Sequence, residues 1–120
     1  MVKLIVFLLA LLQPKPYDIS VDAKKLFLDY RADKVKADKT YLDKKIYLHG
    51  IVKEQSANFC TVYLTIPEPG DGVTASIDDH ALTRIPIYKP GDKFDLVCTG
   101  AGLVFNLPIV LHCAPLEDKK

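Results

Sequence analysis

A strand interrupted by Gly50 limits the possible folds of this chain more than any other stretch. Residues Ala37 to Val52 read as the end of a helix, a short hydrophilic linker and then that strand. Ile46, Leu48 and Val52 fall on one parity, and Tyr47, His49, Ile51 and Lys53 on the other, which is the alternation of a strand with unlike faces. Gly50 has no side chain to pack, so it marks a bulge or sharp bend. A long first strand that bends midway is what a small closed barrel needs to turn a corner.

The segments on either side fit that scheme. Ser20 to about Lys36 reads as one amphipathic helix, with Ser20 as N-cap and Asp22 in the first turn. Ala23, Leu26, Phe27 and Tyr30 form its apolar stripe. A second strand, Phe59 to Ile66, turns Cys60, Val62, Leu64 and Ile66 one way and Phe59, Thr61, Tyr63 and Thr65 the other. After the Pro- and Gly-rich loop at 67–72, Val73 to Ile77 gives a short third strand. Asp78 to Ile85 makes one or two helical turns capped by an Asp. A fourth strand, Asp92 to Gly100, puts Phe94, Leu96 and Cys98 on one face, and Ala101-Gly102 permits a bulge or turn. The last strand, Val104 to Ala114, groups Leu107, Ile109, Leu111 and Cys113. The expected fold is mainly β with an N-terminal helix. It is a five-stranded OB-fold Greek-key barrel with a short helix between strands 3 and 4.

Residues 1–18 are expected to be an export signal or apolar N-terminal segment plus linker, 19–116 the barrel domain, and 117–120 a charged tail. Lys3 precedes the apolar run Leu4 to Leu12, which Gln13-Pro14-Lys15-Pro16 ends. At about 1.5 Å per residue that run is too short for a hydrocarbon core of roughly 30 Å. Export is therefore expected, to the periplasm, the exterior or a membrane surface, although no small-x-small cleavage pair follows. A retained segment, packing residues 4–12 on the domain or on a membrane, is the alternative. No Cys stands close behind the run to accept a lipid.

The residues then resemble a known family. Leu26-Phe27-Leu28-Asp29-Tyr30 running into Ala37-Asp38 and Tyr41, the lysine-led strand Lys45 to Val52, and Gly91-Asp92-Lys93 with Cys98-Thr99-Gly100 and Val110-Leu111-His112-Cys113 carry the likeness. In this order and spacing the chain resembles the bacterial tRNA-anticodon-like OB-fold family of small exported proteins and lipoproteins. The resemblance implies the fold and an extracytoplasmic location. It brings no catalytic residues, and fold likeness alone does not establish nucleic-acid binding.

Function is less legible. Sixteen Lys and Arg stand against fifteen Asp and Glu, a balance that disfavours holding polyanions through phosphate contacts. Tyr47, His49, Phe59 and Tyr63 with Lys53 are candidates for a binding patch on the outer face of the first two strands, contacting a protein or small ligand. A platform for single-stranded nucleic acid is the rival use of the same residues, and a membrane-associated envelope factor serving exclusion or stress functions is a third reading. Asp78-Asp79-His80 has acid–base residue types but no paired nucleophile, so no enzyme and no cofactor are expected. His49, His80 and His112 lack ligand spacing, and adjacent His112 and Cys113 point to opposite faces, so no metal is expected. Cys98 and Cys113, on neighbouring strands with apolar parity, are read as a disulfide. Two buried free thiols or a metal site remain the other states of that pair. Cys60 is read as a buried, inert thiol.

Overall fold

The computed structural model describes residues 16–66 and 72–116. The apolar run at 4–12 and the charged tail from 117 lie outside the described residues. The described residues form nine elements in order. They are β1 (Ile19–Asp22), α1 (Ala23–Ala32), α2 (Lys34–Tyr41), β2 (Lys45–Gln55), β3 (Thr61–Thr65), β4 (Val73–Ile77), a 3₁₀ helix (Asp79–Arg84), β5 (Lys93–Val104) and β6 (Leu107–Ala114). The sheet runs β1-β2-β3-β4-β6-β5 and closes through a further β2–β5 pairing. β2, β3, β4, β6 and β5 therefore make a closed five-stranded barrel, and closure leaves none of these five as a free sheet edge. β1 lies outside the ring, parallel to the first half of β2, with Ile19 opposite Ile46 and Asp22 opposite His49.

The expected single helix is a strand and two helices. Asp33 takes extended backbone (φ −164°, ψ 99°), ends α1 and opens α2, and its carboxylate accepts the Lys36 N–H at 3.1 Å. The cap of α1 is Asp22, which accepts the Lys25 N–H at 2.8 Å. Ser20, expected as that cap, lies in β1. Asp18 is more than linker, because its backbone N–H donates to the Lys45 carbonyl and its carboxylate accepts the Lys45 N–H. These bonds fix β1 beside β2.

Of the expected stripe on α1, Ala23, Leu26 and Tyr30 are buried and Phe27 packs on the core from its edge. The two helices are joined by reciprocal bonds. Tyr30 on α1 donates its hydroxyl to Asp38 on α2 at 2.8 Å, and Tyr41 on α2 donates to Asp29 on α1 at 2.5 Å. The Lys34 ammonium, then the Tyr30 hydroxyl, hold the Asp38 carboxyl below its ordinary range. For Asp29 burial pushes upward, but bonds from Tyr41 and Lys25 outweigh it and the net shift is also downward. A carboxylate whose pKa is lower folded than unfolded adds stability above its unfolded value, about 4, and loses it as pH falls through the folded value. The denaturation midpoint is therefore expected to fall on acidification below about pH 4. Replacing both Asp29 and Asp38 by Asn should flatten that acid limb in a pH series of urea melts. An acid limb unchanged in the double variant would contradict this account.

Two features of the strands differ from the sequence expectation. The first is β2, where the register shifts between Val52 and Glu54, so the bulge is at Lys53 and not at Gly50. Gly50 answers a packing demand instead, since a Cβ there would lie 3.2 Å from both Ala23 Cβ and Leu64 Cδ1. The second is β6. Ile77 and Ala75 on β4 pair with Cys113 and Val110, so β6 carries one extra residue, and His112 within that stretch has φ +57°. The extra residue swaps faces. Pro108, Val110 and Cys113 consequently point inward, while Leu107 and Ile109 are half-buried and Leu111 is exposed. Grouping Leu107, Ile109 and Leu111 with Cys113 is incorrect for that reason.

The interior is formed by Ile46, Leu48, Val52, Val62, Leu64, Val73, Ala75, Phe94, Leu96 and Val110. Ala81 of the 3₁₀ helix is fully buried in the same core, with Leu82 and Ile85 packed on it. Cys98 and Cys113 are joined by a disulfide, their Cα atoms 4.1 Å apart.

Candidate binding face

The bulge at Lys53 shapes the outer face of the barrel. Beyond it Glu54 lies opposite Tyr63 on β3, which is itself opposite Thr74 on β4. Lys53 and Glu54 are both exposed, and Tyr63 is 37% exposed. With Thr74 and Leu107 they line a recess of about 270 Å³. Its rim carries one cation, one carboxylate, a phenol and a hydroxyl, with the half-buried Leu107 beside them. Gly72 keeps β4 close to β3 at the recess, since a Cβ there would meet the Leu64 carbonyl oxygen at 2.2 Å.

The other expected patch residues are elsewhere. Tyr47 and His49 stand on the first half of β2, with ring centroids 4.4 Å apart. Tyr17 adds a third ring 5.2 Å from Tyr47, and Ser20 Oγ lies 3.1 Å from His49 Nε2. His49 and Glu54 are five positions apart, about 17 Å along an extended strand. Phe59 precedes β3, in the β2–β3 turn, with φ +68° and 44% exposure. The expected single patch is therefore split in three: Tyr63 with Lys53, Tyr47 with His49, and Phe59 apart. Alternation along β2 places Tyr47 and His49 correctly on the outside. It gives no sign that β1 would lie beside them, because Ser20 reads as a helix cap in sequence.

The cysteines and histidines sort differently from expectation. Cys60 is half-buried at the start of β3, its Sγ 3.6 Å from the Asn58 carbonyl oxygen and 3.7 Å from Asp79 Oδ1. Partial burial, then the Asp79 carboxylate, push its thiol above the ordinary range. The expectation of a fully buried thiol fails because the regular part of β3 begins only at Thr61. The left-handed backbone at His112 directs its Nδ1 to 3.0 Å from Asp78 Oδ1, and His80 Nε2 lies 4.0 Å from Asp78 Oδ2. Asp78 makes no side-chain cap to the 3₁₀ helix, so the capping role expected of it is not observed. Among the described residues no group of three or more His, Cys, Asp or Glu is placed to hold a metal ion.

Charge is segregated although the total is nearly balanced. Residues 23–45, the two helices and their exit, hold eight Lys and Arg against four Asp. Residues 46–116, the barrel, hold four against seven acids. The recess itself is lined by one charge of each sign, Lys53 and Glu54.

A closed five-stranded barrel with a helical element on its N-terminal side, and a shallow mixed recess on its outer face, defines a small OB-fold domain of the kind that binds partners. The family model tRNA_anti-like matches residues 9–114, most of the chain, and the chain belongs to that family. No curated protein and no solved structure matches it.

Proposed function

We propose that this chain is a non-enzymatic binding module that acts outside the cytoplasm, and that its partner is a protein segment or small ligand. The strand order is read as the Greek-key connection of the OB-fold, whose outer strand face is its usual contact surface. The recess at Lys53, Glu54, Tyr63 and Thr74 carries the proposal. A half-buried leucine and a phenol with a few polar groups around them suit a short side chain or small organic group better than a run of phosphates. The charges lining the recess are one cation, Lys53, and one carboxylate, Glu54, which supports the same preference because a run of phosphates would need more cations.

The expected result in a titration of the full chain with single-stranded DNA or RNA at physiological salt is weak binding or none. A sub-micromolar complex that weakened steeply with added salt and was lost in Tyr63→Ser would overturn the proposal in favour of a single-strand binder.

A further inference from the structure

The four residues that flank the two half-cystines all line one pocket. Val97 and Thr99 stand on either side of Cys98, and His112 and Ala114 on either side of Cys113. Both half-cystines face the core, so their neighbours in sequence face outward. The pocket measures about 440 Å³, within the size range of small-molecule sites. The start of β2 forms one wall, through Lys45 opposite Thr99, and the 3₁₀ helix forms another, through Arg84. The covalent link between β5 and β6 fixes the floor in advance, which lowers the ordering cost of binding.

Among the described residues, the charged side chains lining the pocket are Lys45, Arg84 and Asp78. Lys45 and Arg84 are exposed, whereas Asp78 is half-buried and already engaged. His112 Nδ1 lies 3.0 Å from one of its oxygens and His80 Nε2 4.0 Å from the other. The Asp18 carboxylate beside Lys45 accepts that residue's backbone N–H and is not part of the lining. A neighbouring cleft that shares Arg84 adds one charge of each sign, Lys93 and Asp95. Cations thus exceed carboxylates by one, two against one in the pocket and three against two with the cleft. Between the charges, Val97, Ala114, Pro115 and Leu116 are half-buried and offer apolar contact.

We propose that this pocket is a second ligand site and takes a small organic acid. Its single carboxylate meets Lys45 and Arg84, and its apolar body lies on Val97 and Ala114. One carboxylate answers the excess of one cation. A phosphate dianion would meet Asp78 with too few cations to offset the repulsion. A neutral ligand would forgo the charge-assisted bonds that the ammonium and guanidinium can make. The site lies across β5 and β6, away from Lys53, Glu54 and Tyr63, so the inference does not depend on the recess.

The test is a titration of the isotope-labelled full chain with benzoate, benzamide and inorganic phosphate at neutral pH, followed through backbone amide shifts. Benzoate is expected to shift the amides of Thr99, His112 and Ala114 saturably. Benzamide, similar in shape but neutral, should bind roughly tenfold more weakly, the scale of one hydrogen bond to a charged group. Phosphate should also bind more weakly than benzoate. Lys45→Gln and Arg84→Gln should each weaken benzoate by about the same factor of ten. Lys53→Gln, in the recess, should leave benzoate binding unchanged. Lys45 is exposed, so Lys45→Gln decides the matter if Arg84→Gln lowers the melting temperature. No saturable shift at these amides, benzamide or phosphate bound as tightly as benzoate, or Lys45→Gln binding like wild type would overturn the proposal.

Discussion

Gly100→Ala is expected to lower the stability of the folded chain by about 3 kcal/mol or more, beyond the usual range for an added methyl group. A Cβ at Gly100 would lie 2.1 Å from the Tyr41 carbonyl oxygen and 2.9 Å from its carbonyl carbon. Both are backbone atoms, so no side-chain rotation makes room. The same point carries the junction between helices and barrel, because Asp43 N–H donates to the Gly100 carbonyl and Gly100 N–H to the Lys44 carbonyl. Displacing Tyr41 would also disturb its fully buried ring and its bond to Asp29. For a domain of this size the loss corresponds to a fall in melting temperature of roughly 10–20 °C. Gly91→Ala is the comparison. Gly91 has φ +93° but nothing within 4 Å of a Cβ, so the expected cost is backbone strain alone, about 1 kcal/mol. A Gly100→Ala variant as stable as Gly91→Ala would show that the close approach of Tyr41 is not what Gly100 is for.

Loss of the Cys98–Cys113 bond is expected to have an effect of similar size. The bond closes 15 residues of sequence, for which the chain-entropy model gives about 3 kcal/mol. Against a typical net stability of about 5–15 kcal/mol this is a large fraction. The urea midpoint should fall on reduction, and it should fall further in the double alanine variant, where buried packing is lost as well. Unfolded, non-reduced protein should expose one reactive thiol, at Cys60. Three reactive thiols in protein taken from its native compartment would contradict the bond and the proposed extracytoplasmic location together.

Cys98 and Cys113 also show how far the sequence can be read. Their pairing follows from parity on neighbouring strands, yet the parity of β6 is broken one residue earlier. Cys113 faces the core because the extra residue at His112 restores it there, and Leu107, Ile109 and Leu111 lose the inward face for the same reason. Nothing in Leu-His-Cys announces a bulge, because a non-glycine residue in left-handed backbone has no compositional mark. Gly100 is the reverse case: the glycine is visible, and the backbone that approaches it becomes known only when the helices are placed.

The five barrel strands were legible because each alternates over at least part of its length. β1 was not, because four residues before a helix with Ser20 among them match a capping pattern equally well. The break at Asp33 was similarly hidden, since apolar spacing runs through it and the Asp that caps α2 reads as one more polar residue. For the site, alternation identified outward residues on β2 and β3, but not which of them share a neighbourhood. That depends on the bulge at Lys53, which turns Lys53 and Glu54 toward Tyr63 and leaves Tyr47 and His49 with Tyr17. Charge was the least readable property. A near-zero total conceals the helical segment of residues 23–45, with eight Lys and Arg against four Asp.

The most direct test of the binding reading places a photo-crosslinking aromatic amino acid at Tyr63 in the full chain, in its native cells. The same group at Ile87, 68% exposed on the connection leading to β5, is the control. The account predicts a discrete protein or small-ligand adduct from position 63, diminished by Lys53→Ala, and none from position 87. Adducts of equal yield from both positions, no adduct from position 63, or one removed by nuclease would contradict it.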